Sequence, residues 1–179
     1  ASITTDAVGP TQLNEASNYA FTGTVTGAGQ TNQPAFHAYA NTNQTGLGDN
    51  TWTKIQMNVE EVDTDNAYDN SSNFRFTPQT AGKYLIYLQA VVFSETANNG
   101  YVFNGSIYKN GSNIAYSANN TNSSYPEYET SMMLTRIIEF NGSSDYVEAY
   151  GRLNVLSGTW STSASSTGSL CFFGGYKLF

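Results

Sequence analysis

The chain has few residues that could carry out chemistry: one histidine, one cysteine and one short acidic run among 179 residues. His37 lies in "AFHAYA", alternating with apolar neighbours. A Ser-His-Asp or Cys-His relay needs an imidazole beside a nucleophile, and no such motif surrounds it. His37 is therefore expected to be an ordinary strand residue. H-E-x-x-H, C-x-x-C, Walker and G-x-S-x-G patterns are absent. Glu60 and Glu61 are adjacent, so on a strand they point to opposite faces and cannot form a carboxylate pair. Glu127 and Glu129 can share a face, which is weak ground for glycosidase work. The run "DTDNAYD" offers the hard oxygen ligands that calcium prefers, with Asp63, Asp65 and Asp69 as the metal candidates. It lacks the glycine and terminal glutamate of an EF-hand loop, and a solvated turn is the alternative. Cys171 in "SLCFFGGY" has no partner for an internal disulfide and is expected to be a small buried apolar residue.

Polar segments with isolated aromatic rings are better candidates for function. Tyr101 ends "SETANNGY", Tyr125 and Tyr128 stand in "SANNTNSSYPEYE", and Trp160 stands in "SGTWSTSASSTG". A ring flanked by amides and hydroxyls suits a sugar, whose C–H face stacks on it while its hydroxyls find donors and acceptors. It equally suits a protein epitope, or packing beneath its own loop.

These residues must be positioned by strands. Only 12% of the chain is charged, 39% is hydrophobic, and the net charge is −7. That balance repels phosphates, so neither nucleic acid nor an anionic membrane surface is an expected partner, and no apolar run is long enough to cross a bilayer. From Pro34 onward short alternating runs recur between turn residues, which argues for an all-β sandwich. Asn110-Gly111 and Asn141-Gly142 are both expected to be hairpin turns, because Asn-Gly accepts the positive φ such turns require. "KYLIYLQAVVF" is apolar on both faces, as in a strand buried between two layers or at a subunit contact. "MMLTRIIEF" is β-branched enough to be a strand as well. Just before the long apolar strand, "FTPQTAG" reads as a strand end and turn: Phe76 inward, Pro78 stopping the ladder, Gly82 turning the chain. Residues 1–33 are poor in large apolar side chains and are expected to be an extended segment. The chain opens at Ala1, not Met, so it is expected to be part of something longer.

Several of these runs, taken in order, resemble the globular head of complement C1q, which shares the tumour-necrosis-factor-like jelly roll. The resemblance covers 34–179 and lies in "AFHAYA", in Tyr68 and Asp69, in "FTPQTAGKY" with Phe76, Gly82 and Tyr84, in "YKNG", in "DYVEAY" and in the terminal "FGGYKLF". Asp63 and Asp65 stand where the family has Asn and Gly, Pro78 comes one residue early, Ser144 replaces a glycine, and the collagen-like stalk is absent. The resemblance implies a ten-stranded C1q/TNF-like jelly roll that assembles as a homotrimer and works by recognition without catalysis. It also implies calcium as a ligand of some such heads. The segment "DAVGPTQLNEASNYAFTGTVTGAG" resembles the repeating segments of bacteriophage fibre proteins, a polar linker being the alternative.

The function these readings imply is that of a viral fibre head on the virion surface. It would recognise a host receptor or glycan through Tyr101, Tyr125, Tyr128 and Trp160, and attach to other virion proteins through its N-terminal segment. A capsid decoration or collar protein and a secreted cellular C1q-like module are the other readings left open.

Overall fold

The computed structural model describes residues 34–179; the extended segment expected over 1–33 lies outside the described residues. The described chain is all-β, with strands Ala35–Tyr39 (β1), Leu47–Gly48 (β2), Thr53–Lys54 (β3), Val59–Asp63 (β4), Tyr68–Asp69 (β5), Arg75–Phe76 (β6) and Gly82–Ser94 (β7). Gly100–Lys109 (β8), Ser112–Asn120 (β9), Glu129–Phe140 (β10), Val147–Val155 (β11), Thr159–Thr162 (β12) and Phe172–Lys177 (β13) follow. Thirteen strands thus stand among the described residues where ten were expected, four of them (β2, β3, β5 and β6) two-residue pairings too short to show alternation.

Two sheets face each other. Sheet A runs β2-β12-β7-β13-β1-β4, with β10 on the other edge of β7; sheet B runs β5-β6-β11-β8-β9, with β3 also on β11. The long β7 forms the spine of sheet A, since all twelve residues of β10 pair with it on one side while β13 and β12 share the other. Tyr84, Ile86, Leu88, Ala90 and Val92 of β7 point inward and are buried. The alternate residues Leu85, Tyr87, Gln89 and Phe93 form the outer face and are only partly covered.

Aromatic rings at the base of the sandwich account for "FTPQTAG". Phe76 stacks on Phe36 with centroids 4.1 Å apart and meets Tyr84 and Phe140 edge-on. The Tyr84 hydroxyl donates to Thr80 O at 2.8 Å, so the turn is tied to the strand that follows it. Burying each such ring is worth about 1.5–3 kcal/mol. Gly82 has a φ of 146°, and a Cβ there would lie 2.6 Å from Phe179 O.

Asn110-Gly111 forms the expected hairpin turn between β8 and β9, with φ values of 50° and 77°. Asn141-Gly142 does not. It joins β10 of sheet A to β11 of sheet B, which do not pair, and so it crosses between layers. The Asn141 Oδ1 accepts the backbone N–H groups of Ser143, Ser144 and Asp145 and holds this crossover instead. A side-chain cap of this kind stabilises a loop whether or not the flanking strands pair.

Candidate functional site

Outer-face residues of sheet A form a largely apolar surface, interrupted by Gln89 and Thr135. Register places Met133 and Ile137 of β10 beside Gln89 and Leu85 of β7, which in turn face Phe172 and Tyr176 of β13. His37 and Tyr39 of β1 and Val62 of β4 continue the row. Met133 is 59% exposed and Ile137 57%, values that single apolar residues reach but rows of them seldom do. Gly174 lets this surface close over itself. A Cβ there would lie 2.3 Å from the Tyr87 ring, which crosses the glycine to bring its hydroxyl 2.9 Å from His37 Nδ1. Burial, with Glu61 adding to it, raises the Tyr87 hydroxyl above its ordinary range. His37 is thus a strand residue with ring partners in Tyr87 and Phe172.

The four proposed ligand-binding aromatics do not all converge. Gly100 and Glu127 exchange backbone hydrogen bonds, and Thr121 N–H donates to Tyr101 O, so the loop carrying Tyr125 and Tyr128 is pinned to the start of β8 beside Tyr101. Tyr125 is 78% exposed, and Tyr128 packs against Phe93 with centroids 5.5 Å apart. Trp160 departs from the expectation: it is fully buried in the core. It lies on β12 between β2 and β7, and its indole Nε1 donates to Gly48 O at 2.8 Å. With its one polar atom satisfied, the ring belongs in the core despite the polar residues around it.

Nor does the fold bring the three aspartates together. Asp63 Oδ2 accepts Tyr68 N–H at 2.8 Å, and Asp69 accepts the N–H groups of Ser71, Ser72 and Asn73 as well as the Asn73 side-chain amide. Those hydrogen bonds, led by Ser72 and Ser71, hold the Asp69 carboxyl well below the usual carboxylate range. Asp65 bonds with Thr64. No three acidic, histidine or cysteine side chains among the described residues come together as a metal would require. Asp63 and Asp69 instead cap separate turns through backbone N–H groups. Cys171 is buried as expected; its sulfur bonds to both N and O of Val91, and burial pushes the thiol up to about 11.

Another surface escaped the sequence reading. On the outer face of sheet B, Tyr108 and Tyr150 stack at 4.0 Å, Trp52 meets Tyr108 edge-on, and the Arg152 guanidinium lies 4.8 Å from the Trp52 centroid. Arg152 Nε and Nη2 both donate to Asn104 Oδ1, at 3.0 and 2.8 Å. Lys54 pairs with the buried Glu148 at 2.6 Å. Asn104 and Tyr108 belong to β8 and Glu148, Tyr150 and Arg152 to alternate positions of β11, while Lys54 lies on β3 and Trp52 just before it. Alternation within each run was the available signal, but nothing in it paired the two strands.

No protein-family model and no curated protein sequence matches the chain. Solved structures do. The chain is similar to the Eiger TNF of S. frugiperda at 12% identity and a TM-score of 0.62, over 82% of this chain and 93% of that one. It is similar to murine APRIL at 13% identity and a TM-score of 0.58, over 82% and 100% of the two chains. The globular domain of zebrafish complement 1qA follows at 11% identity and a TM-score of 0.53, over 82% and 98%. Identities this low speak to architecture alone, and the architecture is the TNF/C1q-like jelly roll.

Proposed function

We propose that this chain is the head of a viral fibre: a homotrimeric, non-enzymatic domain that recognises a component of the host cell surface. The observation that carries the reading is the apolar outer face of sheet A. A water-facing sheet should alternate polar residues outward, yet here Leu85, Tyr87, Phe172, Tyr176, Met133 and Ile137 stand side by side. Sibling copies of the same chain are the occupants that best explain it, and the TNF/C1q-like architecture supports that choice. The loop end that brings Tyr101, Tyr125 and Tyr128 together supplies the contact with the host. Three copies of it convert a weak single contact into avid attachment. Residues 1–33 join the head to other virion proteins and place it at the virion surface.

Light scattering on the purified chain tests the assembly: the expected mass is three times 19.4 kDa, and a monomer at micromolar concentration would sink the reading. Attachment to host cells tests recognition. Tyr125→Ala should keep the mass and weaken attachment at least tenfold; binding to virion proteins only, with no attachment to cells, would favour a decoration role instead.

A further inference from the structure

If sheet A packs against siblings, as proposed above, sheet B is the layer left facing outward, and its surface is built unlike the rest of the molecule. Arg75, Lys54 and Arg152, three of seven cationic side chains in a chain of net charge −7, stand on this one face. The carboxylates on the same face are committed elsewhere: Glu148 pairs with Lys54, and Asp69 caps its own turn. Arg75 lies over the Tyr146 ring at 4.4 Å. Arg152 is held more firmly, between the Trp52 ring and the Oδ1 of the buried Asn104, with no carboxylate in contact and Nη1 without a partner among the described residues.

An arginine fixed by a ring and an amide has already given up its side-chain freedom, so an arriving anion need not order it. Across the same row of sheet B, Tyr116 of β9 and Tyr150 of β11 flank Ser106 of β8. At the usual strand spacing the two tyrosines stand about 10 Å apart, one short saccharide across. Tyr116 is 66% exposed. Two residues beyond Arg152 on β11, Asn154 Oδ1 is the one side-chain polar atom among the described residues that is buried with no hydrogen-bond partner. A buried acceptor left bare is costly, and because this one is shut off from the surface a ligand hydroxyl satisfies it only when the Asn154 side chain turns outward on binding.

We infer that the outer face of sheet B is a binding site for a carboxylated saccharide. The carboxylate sits on Arg152, the sugar ring stacks on Tyr116, and a hydroxyl meets Asn154 once that side chain has turned outward. Charge decides for an acidic sugar over a neutral one: a neutral hydroxyl can also accept from Arg152 Nη1, but a carboxylate accepts a charge-assisted bond of roughly twice the strength. Screening over about 8 Å at physiological salt keeps the remote acidic residues from cancelling that attraction.

Calorimetric titration of the full chain with sialyllactose, with oligogalacturonate and with uncharged lactose tests the site. At least one carboxylated probe is expected to bind tenfold or more tighter than lactose. Arg152→Gln should remove that preference, and Tyr116→Ala should weaken the carboxylated probe about tenfold without changing the assembly. Should Arg152→Gln fail to fold, Arg152→Lys keeps the charge but loses the planar fork, and a severalfold loss is then expected. Equal binding of lactose, an undiminished preference in the Arg152 variants, or no binding of either acidic probe would overturn the site. A trimer that attaches to cells but titrates neither acidic probe defeats this site alone. A monomer, or a trimer that attaches to no cell, defeats the fibre-head reading while the titration still decides this one.

Discussion

The outer faces of the two sheets solve the same geometric problem in opposite ways. Both back onto one core, and both carry aromatic residues at alternate positions. On sheet A the rings are accompanied by Met133, Ile137, Leu85 and Val62, and the most prominent polar contact is Tyr87 with His37. On sheet B they are accompanied by Arg152, Lys54, Glu148 and Asn104, joined by hydrogen bonds and an ion pair. Aromatic content alone therefore says little about what a surface does. What separates the two is the company the rings keep: apolar neighbours leave a surface that gains by excluding water, and hydrogen-bonding neighbours leave one that stays content in it.

The strongest way to break the comparison is to remove the core that both faces share. Trp160→Ala should cost about 3–5 kcal/mol, because the ring is fully buried between β2 and β7. A fall in the urea midpoint large enough to leave the chain partly unfolded at 37 °C is the expected result. An unchanged midpoint would mean that the ring lies on the surface after all.

Next come changes confined to one face. The double variant Met133→Asp with Ile137→Asp should reduce the solution mass to that of one copy while the far-ultraviolet spectrum stays native, since both side chains point away from the core. Persistence of the proposed trimer would show that another surface holds it. On sheet B, Lys54→Met leaves Glu148, 5% exposed, without its cation. Breaking a buried pair costs several kcal/mol, but Lys54 is itself partly in water, so about 2 kcal/mol is expected, with no change in mass. A neutral result would show that water reaches Glu148 freely.

The smallest effect concerns acid. Glu95 accepts hydrogen bonds from Gly46 N–H at 2.6 Å, Ser161 Oγ at 2.5 Å and the Thr159 hydroxyl, and so ties β12 to the loop before β2. These bonds hold its carboxyl below the ordinary 4.5. A depressed folded value stabilises the protein above the unfolded value, and that contribution fades as pH falls below about 4.5. Urea midpoints measured at pH 6 and pH 3.5 should therefore drop further for the wild type than for Glu95→Gln. Equal drops would remove Glu95 from the account.

Much of the architecture was legible in residue order. The run "KYLIYLQAVVF", apolar on both faces, marked β7, and Asn110-Gly111 marked a hairpin where the chain does turn back on itself. The same dipeptide at Asn141-Gly142 misled, because a turn residue reports local backbone angles and not which sheet the next strand joins. Trp160 misled for a related reason. Its neighbours are serine and threonine, but Ser161 and Thr162 are buried too, with their hydroxyls bonded to Glu95 and to Gln44 N–H. Polar side chains near a ring indicate exposure only when nothing else in the fold satisfies them.

By itself the sequence determined the fold class, the long central strand, the inward Phe76 and the net acidity of the chain. Each of these depends on residues close together along the chain, or on a simple sum over it. Tertiary structure alone decided that Trp160 is core, that Asp63 and Asp69 serve separate turns, and that Trp52, Arg152 and Asn104 meet. Strand alternation assigns side chains to one of two faces but is silent on which strand lies alongside. Only pairing β11 with β8 and β3 brings residues 52, 104 and 152 onto one surface.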